Sequence, residues 1–363
     1  MQRKIPDISS LIDWFSGRFP IQQHFPILTE KTVRLHKHSF WFYFGGISLF
    51  LFFVQVVTGL LLLLYYQPTP ATAFESVQYI TTQVRFGWLI RSVHSWSANL
   101  LIGAIFIHMF SVFFTQSYRK PRELTWFSGM GLLLVMMAFG FSGYLLPWNK
   151  LAFFATKVGT EIANFTPVIG KFILKFLRGG DEVSSATLAR FFGMHVGILP
   201  LVATGLLGIH ILLIQLHGMS QPIDEERQRI TSKSVPFFPN FALRDGLVWL
   251  LVFMVLVILA TLYPWELGEK ADPFQPAPAG IKPEWYFLWM FQTLKYVPAK
   301  IVQFDGDMLA ILGFGFGGFL WTLIPFLDRK AARNEKSKMM IGIGIVLVFY
   351  MTLMTVISYV AKS

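Results

Sequence analysis

Seven long apolar segments constrain this chain more than any other feature of its sequence. Each contains close to the ~20 apolar residues that cross the hydrocarbon core of a bilayer, and Arg91 is the only lysine or arginine inside them. Hydrophobic residues make up 54% of the 363 positions, which is too many for a water-soluble globule. We therefore predict an all-α polytopic membrane protein whose spans are residues 40–66, 89–115, 126–147, 191–215, 247–263, 308–327 and 341–360.

The charges of the loops predict the orientation of the chain. Lysine and arginine are frequent in the short loops after the second and sixth spans, and an excess of these residues marks cytoplasmic loops. We therefore place the N-terminus and the loops after the second, fourth and sixth spans in the cytoplasm. The outer loops 148–190 and 264–307 are long enough to indicate a function. The net charge of +11 lies between spans, which favours anionic lipid headgroups and not nucleic acid as its partner.

Two further features concern the organisation of the chain. Apolar residues at helical spacing within residues 8–15 predict an N-terminal helix in the membrane interface, and the first twenty residues lack the pattern of a cleavable signal peptide. The polar, proline-containing stretch 220–244 is the best internal boundary. We therefore predict a four-span part, residues 1–222, and a three-span part, residues 223–363.

Two pairs of histidines lie inside two of the spans. His94 and His108 are 14 residues apart in the second span, and His195 and His210 are 15 apart in the fourth. On a helix these intervals correspond to about 21 to 22 Å and to net rotations of about −40° and +60°, so each pair stays roughly on one face. Facing each other, the two helices could hold two stacked metalloporphyrins. We call His94 and His195 the outer pair, and His108 and His210 the inner pair.

The alternative is that the four histidines are ordinary core residues bonded to backbone or water. A histidine inside a membrane is costly and usually has a partner. One such residue could be structural, but four at matched depths on two helices favour bis-histidine haem sites. That ligation leaves iron no open position, which suits electron transfer.

Paired glycines in two other spans have a similar interval. Gly45 and Gly59 in the first span are 14 residues apart, as are Gly129 and Gly143 in the third. A residue without Cβ lets a ring approach the backbone closely, so we predict clearance for haem at two depths. The alternative is the small-residue packing that is common between membrane helices. The chain has no cysteine, which rules out disulfides and thioether-linked haem within it.

Four motifs resemble those of a known family. They are FGWLIRSVHSWSANLLIGAIFIH at 86–108, KPRELTW at 120–126, GYLLPW at 143–148 and KPEWYF at 282–287. Over nearly its whole length the chain resembles cytochrome b of the cytochrome bc1 and b6f complexes. The 15-residue interval in the fourth span and the seven-span count resemble cytochrome b6 fused to its three-span partner, subunit IV.

The resemblance implies roles for individual residues. The outer pair would ligate a low-potential haem b and the inner pair a high-potential one. Glu284 would be the acid of an outer quinol-oxidising site framed by Pro283, Trp285 and Tyr286, with Tyr144 beside the pocket. Arg91 would lie near the haem carboxylates, although a snorkelling interfacial arginine is the alternative. Asp245 would lie near an inner quinone site.

The chain departs from the family pattern in two places. Tyr43 stands where cytochrome b6 has a cysteine that holds an extra haem, which leaves open a third haem held without a covalent bond. Gln215 stands where the family has a basic or histidine side chain, five residues after the last ligand. His217 is the nearest substitute.

The resemblance also implies an activity. The chain would be the membrane subunit of an oxidoreductase that transfers electrons from quinol to cytochrome c or a plastocyanin-like acceptor. One electron would leave through a Rieske iron–sulfur protein and a c-type cytochrome, and the other would pass through both haems to an inner quinone, coupled to proton translocation. The expected setting is a homodimer in an energy-transducing membrane, such as the bacterial cytoplasmic membrane. Two other hypotheses are a passive dihaem anchor that receives electrons from a dehydrogenase, and a solute transporter without a cofactor.

Overall fold

The computed structural model describes residues 31–34, 39–227, 234–278 and 280–361. The predicted N-terminal interfacial helix lies outside these residues. Fourteen helices occur within the described ranges, and we number them in chain order. They are α1 Ser39–Leu63, α2 Ala73–Thr82, α3 Gly87–Phe114, α4 Glu123–Leu145, α5 Lys150–Asn164, α6 Gly170–Arg178, α7 Ser185–His217, α8 Ile223–Arg227, α9 Phe237–Leu262, α10 Trp285–Tyr296, α11 Gly306–Thr322, α12 Ile324–Leu327, α13 Arg329–Ala332 and α14 Lys338–Val360.

The prediction of an all-α membrane fold is confirmed. Six helices, α1, α3, α4, α7, α9 and α14, are long and apolar enough to cross a membrane, and the shorter apolar helix α11 occupies the position of the sixth predicted span. That span was expected to continue to residue 327, but α11 ends at Thr322. Pro325 explains the difference, because proline has no N–H and its ring clashes with the carbonyl four residues earlier. The chain therefore restarts as α12, with Pro325 in its first turn.

Two small antiparallel ribbons accompany the helices in the described part of the chain. Strand β1, Thr32–Arg34, pairs with β2, Ser234–Pro236, and so joins the N-terminal segment to the stretch before α9. Strand β3, Lys300–Ile301, pairs with β4, Phe304–Asp305, immediately before α11.

Four of the long helices form two closely packed antiparallel pairs. Helix α1 packs extensively against α3, and α4 packs against α7. The shared core includes Leu51 of α1, Leu101 of α3, Met136 of α4 and Ala203 of α7. The histidines and glycines singled out in the sequence all lie on these four helices.

Helix α7 contains one wide π-type turn at Met194–Ile198. Pro200 follows it, and the proline ring would clash with the Val196 carbonyl of a regular helix. A π turn accommodates one additional residue. The 15 residues from His195 to His210 therefore turn the helix about as far as the 14 residues between the histidines of α3. The net rotation between His195 and His210 is smaller than the +60° expected for a regular helix.

Candidate functional site

In each pair, the two histidines face each other across the bundle. His94 of α3 and His195 of α7 line one cavity of about 360 Å³ and are close enough to interact electrostatically. His108 and His210 lie close to each other in the same way, at the other end of the bundle. The structure thus brings together the residues of each predicted pair at two depths.

Each of the four predicted glycines lies directly against one of these imidazoles. A Cβ atom built at any of them would approach a histidine Cε1 to 3.4 Å or less. The partners and distances are Gly45 with His108 (3.1 Å), Gly59 with His94 (3.4 Å), Gly129 with His210 (3.3 Å) and Gly143 with His195 (2.6 Å). The glycines of α1 therefore face the histidines of α3, and those of α4 face the histidines of α7. Because the paired helices are antiparallel, the first glycine of each helix faces the second histidine of its partner helix.

Hydroxyl groups fix the orientation of three of the four imidazoles. The Nδ1 atoms of His94, His195 and His210 lie 2.9 Å from Thr58 Oγ1, 3.0 Å from Ser142 Oγ and 2.9 Å from Ser128 Oγ. Each hydroxyl also donates a hydrogen bond to a carbonyl of its own helix. Its oxygen is therefore free to accept a hydrogen bond from Nδ1–H, which leaves the lone pair on Nε2. A ligating histidine normally has this arrangement, in which its second N–H binds an acceptor.

Glu284 lines the same cavity as the outer histidine pair. It is the residue immediately before α10, and Pro283 precedes it. Burial raises the pKa of its carboxyl above the ordinary value of 4.5. A carboxyl group with a raised pKa is suited to take up a proton and release it again.

Two tyrosines stand beside this carboxyl. Tyr144 and Tyr286 both line the cavity and lie close enough for the charge of Glu284 to act on them. Tyr286 is 5% exposed, and burial together with Glu284 raises the pKa of its phenol. Its hydroxyl lies against Gly140 of α4, where a Cβ would be only 2.4 Å away.

The predicted position of Trp285 depends on a residue that sequence reasoning missed. Trp285 Nε1 donates a hydrogen bond of 2.9 Å to Asn99 Oδ1 on α3. Asn99 comes five residues after His94, so α3 holds both an outer histidine and the start of α10. This contact fixes the segment that carries Glu284 relative to the outer pair.

Arg91 is buried in the same region. It is 6% exposed and lines the cavity, and its guanidinium donates hydrogen bonds of 2.5 and 3.0 Å to the carbonyls of Trp265 and Glu266. The side chain therefore anchors the start of the long loop after α9, a contact that the sequence did not indicate.

The residues proposed for an inner quinone site lie at the other end of the bundle. Asp245 of α9 packs against α1, where a Cβ at Gly46 would be 2.5 Å from its Oδ1. Since Gly45 contacts His108, Asp245 lies at the depth of the inner pair. Asp245 Oδ1 and His217 Nδ1 are buried without a hydrogen-bond partner among the described residues. No hydrogen bond within those ranges joins Asp245 to Gln215 or His217.

Lys31 reaches the same region from the N-terminal segment. Its ammonium group donates a hydrogen bond to Gln215 Oε1 and lies 5.5 Å from the centre of the Phe237 ring. Burial lowers the pKa of this lysine. A distant part of the chain thus places an ammonium group beside Gln215, the position at which the family pattern has a basic or histidine side chain. Nearby, the Tyr43 ring stacks on Phe241 at 5.4 Å.

Six long apolar helices, two of which carry the facing histidine pairs, describe an integral membrane protein. Comparisons with known proteins agree. Residues 29–218 match a family model described as cytochrome b/b6/petB, and residues 270–363 match one described as cytochrome b(C-terminal)/b6/petD. The chain belongs to the cytochrome b family, as the motifs predicted, and membership implies haem b and an oxidoreductase role.

Individual relatives support the same assignment. The chain is 48% identical over 353 residues to a cytochrome bc complex cytochrome b subunit of Chlorobaculum thiosulfatiphilum, covering 96% of this chain and 81% of the relative. It is 43% identical over 216 residues to cytochrome b6 of Auxenochlorella protothecoides, covering 60% of this chain and 100% of that protein. A solved structure titled hyperthermophilic respiratory Complex III superposes with a TM-score of 0.85 at 29% identity, covering 97% of this chain and 92% of that chain.

Proposed function

We propose that this chain is the dihaem cytochrome b of a quinol oxidoreductase of the bc1/b6f type. In this proposal, quinol is oxidised beside Glu284, and one of its two electrons passes through the outer and inner haem sites to a quinone at the other end. The observation that carries the proposal is the single cavity that the outer histidine pair shares with Glu284, Tyr144 and Tyr286. A passive dihaem anchor would need the histidines, but not a half-buried carboxyl beside them.

The residues present fit two haem b groups. Their donor set is four imidazoles in two facing pairs, and each ring lies against a glycine of a neighbouring helix. For three of them, a hydroxyl group lies within hydrogen-bond distance of Nδ1, which would leave the lone pair of Nε2 for the haem iron. Bound haem would supply reversible one-electron transfer at each pair. Arg91, which lines the same cavity, would balance the charge of the outer haem carboxylates.

The chain's own residues would handle the protons of quinol oxidation. Glu284 would accept a proton from the quinol hydroxyl, since its raised pKa allows both uptake and release. Tyr144 and Tyr286 would border the bound quinol. Asn99 would hold Trp285, and thereby the Glu284 segment, at a fixed position.

At the inner end, Asp245, Gln215 and His217 are the proposed quinone-binding groups, and we add Lys31. A quinone carbonyl needs hydrogen-bond donors, and the Lys31 ammonium is a charged donor next to Gln215. Asp245 and His217 would contribute the buried polar atoms that have no partner within the described part of the chain.

The assembly and setting are part of the same proposal. The Chlorobaculum relative is a subunit of a bc complex, and the superposed structure is a respiratory Complex III. This supports a Rieske iron–sulfur protein and a c-type cytochrome as partners. We further propose a homodimer and, from the positive charge between the spans, anionic lipids around the bundle. We likewise propose the division at residues 222 and 223, a bacterial cytoplasmic membrane, and a cytoplasmic N-terminus.

Rapid mixing of the oxidised, purified complex with limiting quinol tests this function. Each quinol should reduce one equivalent of haem b and one equivalent of the c-type cytochrome, followed at their separate visible bands. The proposal would be contradicted if both electrons of the quinol appeared in the c-type cytochrome and none in haem b. It would also be contradicted if electrons appeared in haem b alone. The second outcome would favour the passive anchor.

A change of Gly143 to alanine should disrupt the outer haem site. The added Cβ would lie 2.6 Å from His195 Cε1, so the imidazole must move. We expect the haem content of the purified protein to fall from about two to about one per chain. Gly205→Ala is the matched control, since its Cβ on the same helix as His195 would meet nothing within 4 Å. Full haem content in both variants would show that the glycine is not required.

A change of Lys31 to methionine should slow electron delivery to the inner quinone. Loss of a hydrogen bond from a charged donor costs about 1.5–3 kcal/mol, so we expect reoxidation of reduced haem b by added quinone to slow by about tenfold or more. Lys31→Arg should retain most of the rate, and Lys150→Met, at the opposite end of the bundle, should retain all of it. An unchanged rate in Lys31→Met would remove Lys31 from the site.

A further inference from the structure

The inner histidine His108 differs from the other three in what surrounds its Nδ1 atom. Thr58, Ser128 and Ser142 each immediately precede the glycine that faces a histidine, and each places its hydroxyl at 2.9–3.0 Å from the Nδ1 of that histidine. The glycine that faces His108 is Gly45, and the residue before it is Phe44. His108 Nδ1 is buried and has no hydrogen-bond partner among the described residues.

The difference does not come from a different placement of the ring. A Cβ at Gly45 would lie 3.5 Å from His108 Nδ1, and one at Gly59 would lie 4.0 Å from His94 Nδ1. Both imidazoles therefore present Nδ1 to the same face of α1. Phe44 and Thr58 are 14 residues apart, as are the two glycines, so position 44 corresponds to the hydroxyl position of the outer site.

Neither Ser48, three residues after Gly45, nor Ser111, three residues after His108, forms a hydrogen bond with His108 Nδ1. Ser48 Oγ donates to the carbonyl of Phe44 at 2.8 Å. Ser111 Oγ donates to the backbone carbonyl of His108 at 2.7 Å. A buried polar group without a partner is rare in folded proteins and calls for a functional explanation.

An acceptor on Nδ1–H makes a histidine ligand more basic, which favours ferric over ferrous iron and lowers the reduction potential. In the outer pair both imidazoles have a hydroxyl acceptor, Thr58 and Ser142, whereas in the inner pair His210 has Ser128 and His108 has none among the described residues. All four ligands are of the same chemical type, so hydrogen bonding is one of the few means left to the protein to separate the two potentials.

We propose that Phe44, by denying His108 an Nδ1 acceptor, raises the reduction potential of the inner haem above that of the outer one. The electron then moves downhill from the outer to the inner pair. This inference rests on the proposed function, because it requires a haem at each pair. Phe44 is in this sense a tuning residue that acts through His108.

Potentiometric titration of the purified complex, followed at the haem b visible bands, tests the inference. In Phe44→Ser the new hydroxyl should lower the higher of the two midpoint potentials and leave the lower one unchanged. We expect about a tenfold change in the electron equilibrium between the haems, which is about 59 mV for one electron. Phe44→Leu removes the ring without adding an acceptor and should shift neither potential.

A second variant keeps the test decisive if serine at position 44 disturbs the packing. Ser128→Ala removes the hydroxyl acceptor of His210 and should raise the same higher potential. If two haem components are present and their midpoint potentials change in neither Phe44→Ser nor Ser128→Ala, the tuning role is overturned. The proposed function would then still stand. Equal shifts in Phe44→Ser and Phe44→Leu would assign the effect to packing and also overturn it. Fewer than two components in the unmodified complex would refute the proposed function itself.

Discussion

Replacing His210 with leucine should remove one of two haem b groups from the purified protein. Leucine has no donor atom for iron, so the inner pair retains only His108. We expect the extracted haem to fall from about two to about one per chain and the higher-potential component to disappear from a redox titration. Electron transfer from quinol to an inner quinone should then stop.

His217→Leu is the matched control for haem content. It makes the same chemical change seven residues further along α7, where the sequence does not predict a haem ligand. This variant should retain both haem components. Two haems in His210→Leu, or the same loss in His217→Leu, would contradict the assignment of the inner pair.

Replacing Glu284 with glutamine should slow quinol oxidation by about 100-fold. The change keeps the size of the side chain but removes the proton acceptor, and positioned acid–base groups contribute about 10²–10⁴-fold to such reactions. Steady-state reduction of the c-type cytochrome measures the effect. The haem content should be unchanged, because Glu284 is not a ligand in this account.

The pH dependence of the same reaction provides a second readout. Burial raises the Glu284 pKa above 4.5, so the unmodified enzyme should lose activity as the pH falls through that raised value and the carboxylate becomes protonated. This acid limb should be absent in Glu284→Gln. Glu266→Gln is the control, because Glu266 is an exposed glutamate in the loop before Glu284. An unchanged rate in Glu284→Gln would favour the passive anchor over a quinol-oxidising enzyme.

Much of the fold could be predicted from the sequence because a bilayer imposes one strong requirement. A spanning segment must satisfy its backbone hydrogen bonds internally, so an apolar run of sufficient length becomes a helix. The end of the sixth span was missed because Pro325 interrupts an otherwise apolar run. The π turn before Pro200 was also missed, although the 15-residue interval between His195 and His210 was a signal for it.

Only those features of the candidate site that follow from helix periodicity could be predicted from the sequence. The spacing of His94 and His108 placed both on one face, and the glycine intervals pointed to close approaches. The structure shows that an imidazole lies against each glycine, which a count of residues could not reveal. Thr58 was missed because a hydroxyl in a helix usually bonds its own backbone. Thr58, Ser128 and Ser142 each come immediately before one of the paired glycines. This pairing of a hydroxyl residue with a glycine is the signal by which the three residues could have been predicted.

Contacts between distant parts of the chain were beyond sequence reasoning. Lys31 meets Gln215 across 184 positions, and the β1–β2 ribbon holds Lys31 beside the start of α9. Asn99 and Trp285 meet across 186 positions. Neither contact has a local pattern, since each depends on how the spans pack.

The haem content and spin state of the unmodified protein test the central claim most directly. Quantitative haem extraction, with visible and electron paramagnetic resonance spectra of the oxidised and reduced protein, should give two haem b per chain, both low-spin with two histidine ligands. A protein that absorbs only in the ultraviolet, or that holds high-spin haem with an open coordination position, would contradict the two bis-histidine sites from which every other part of this account follows.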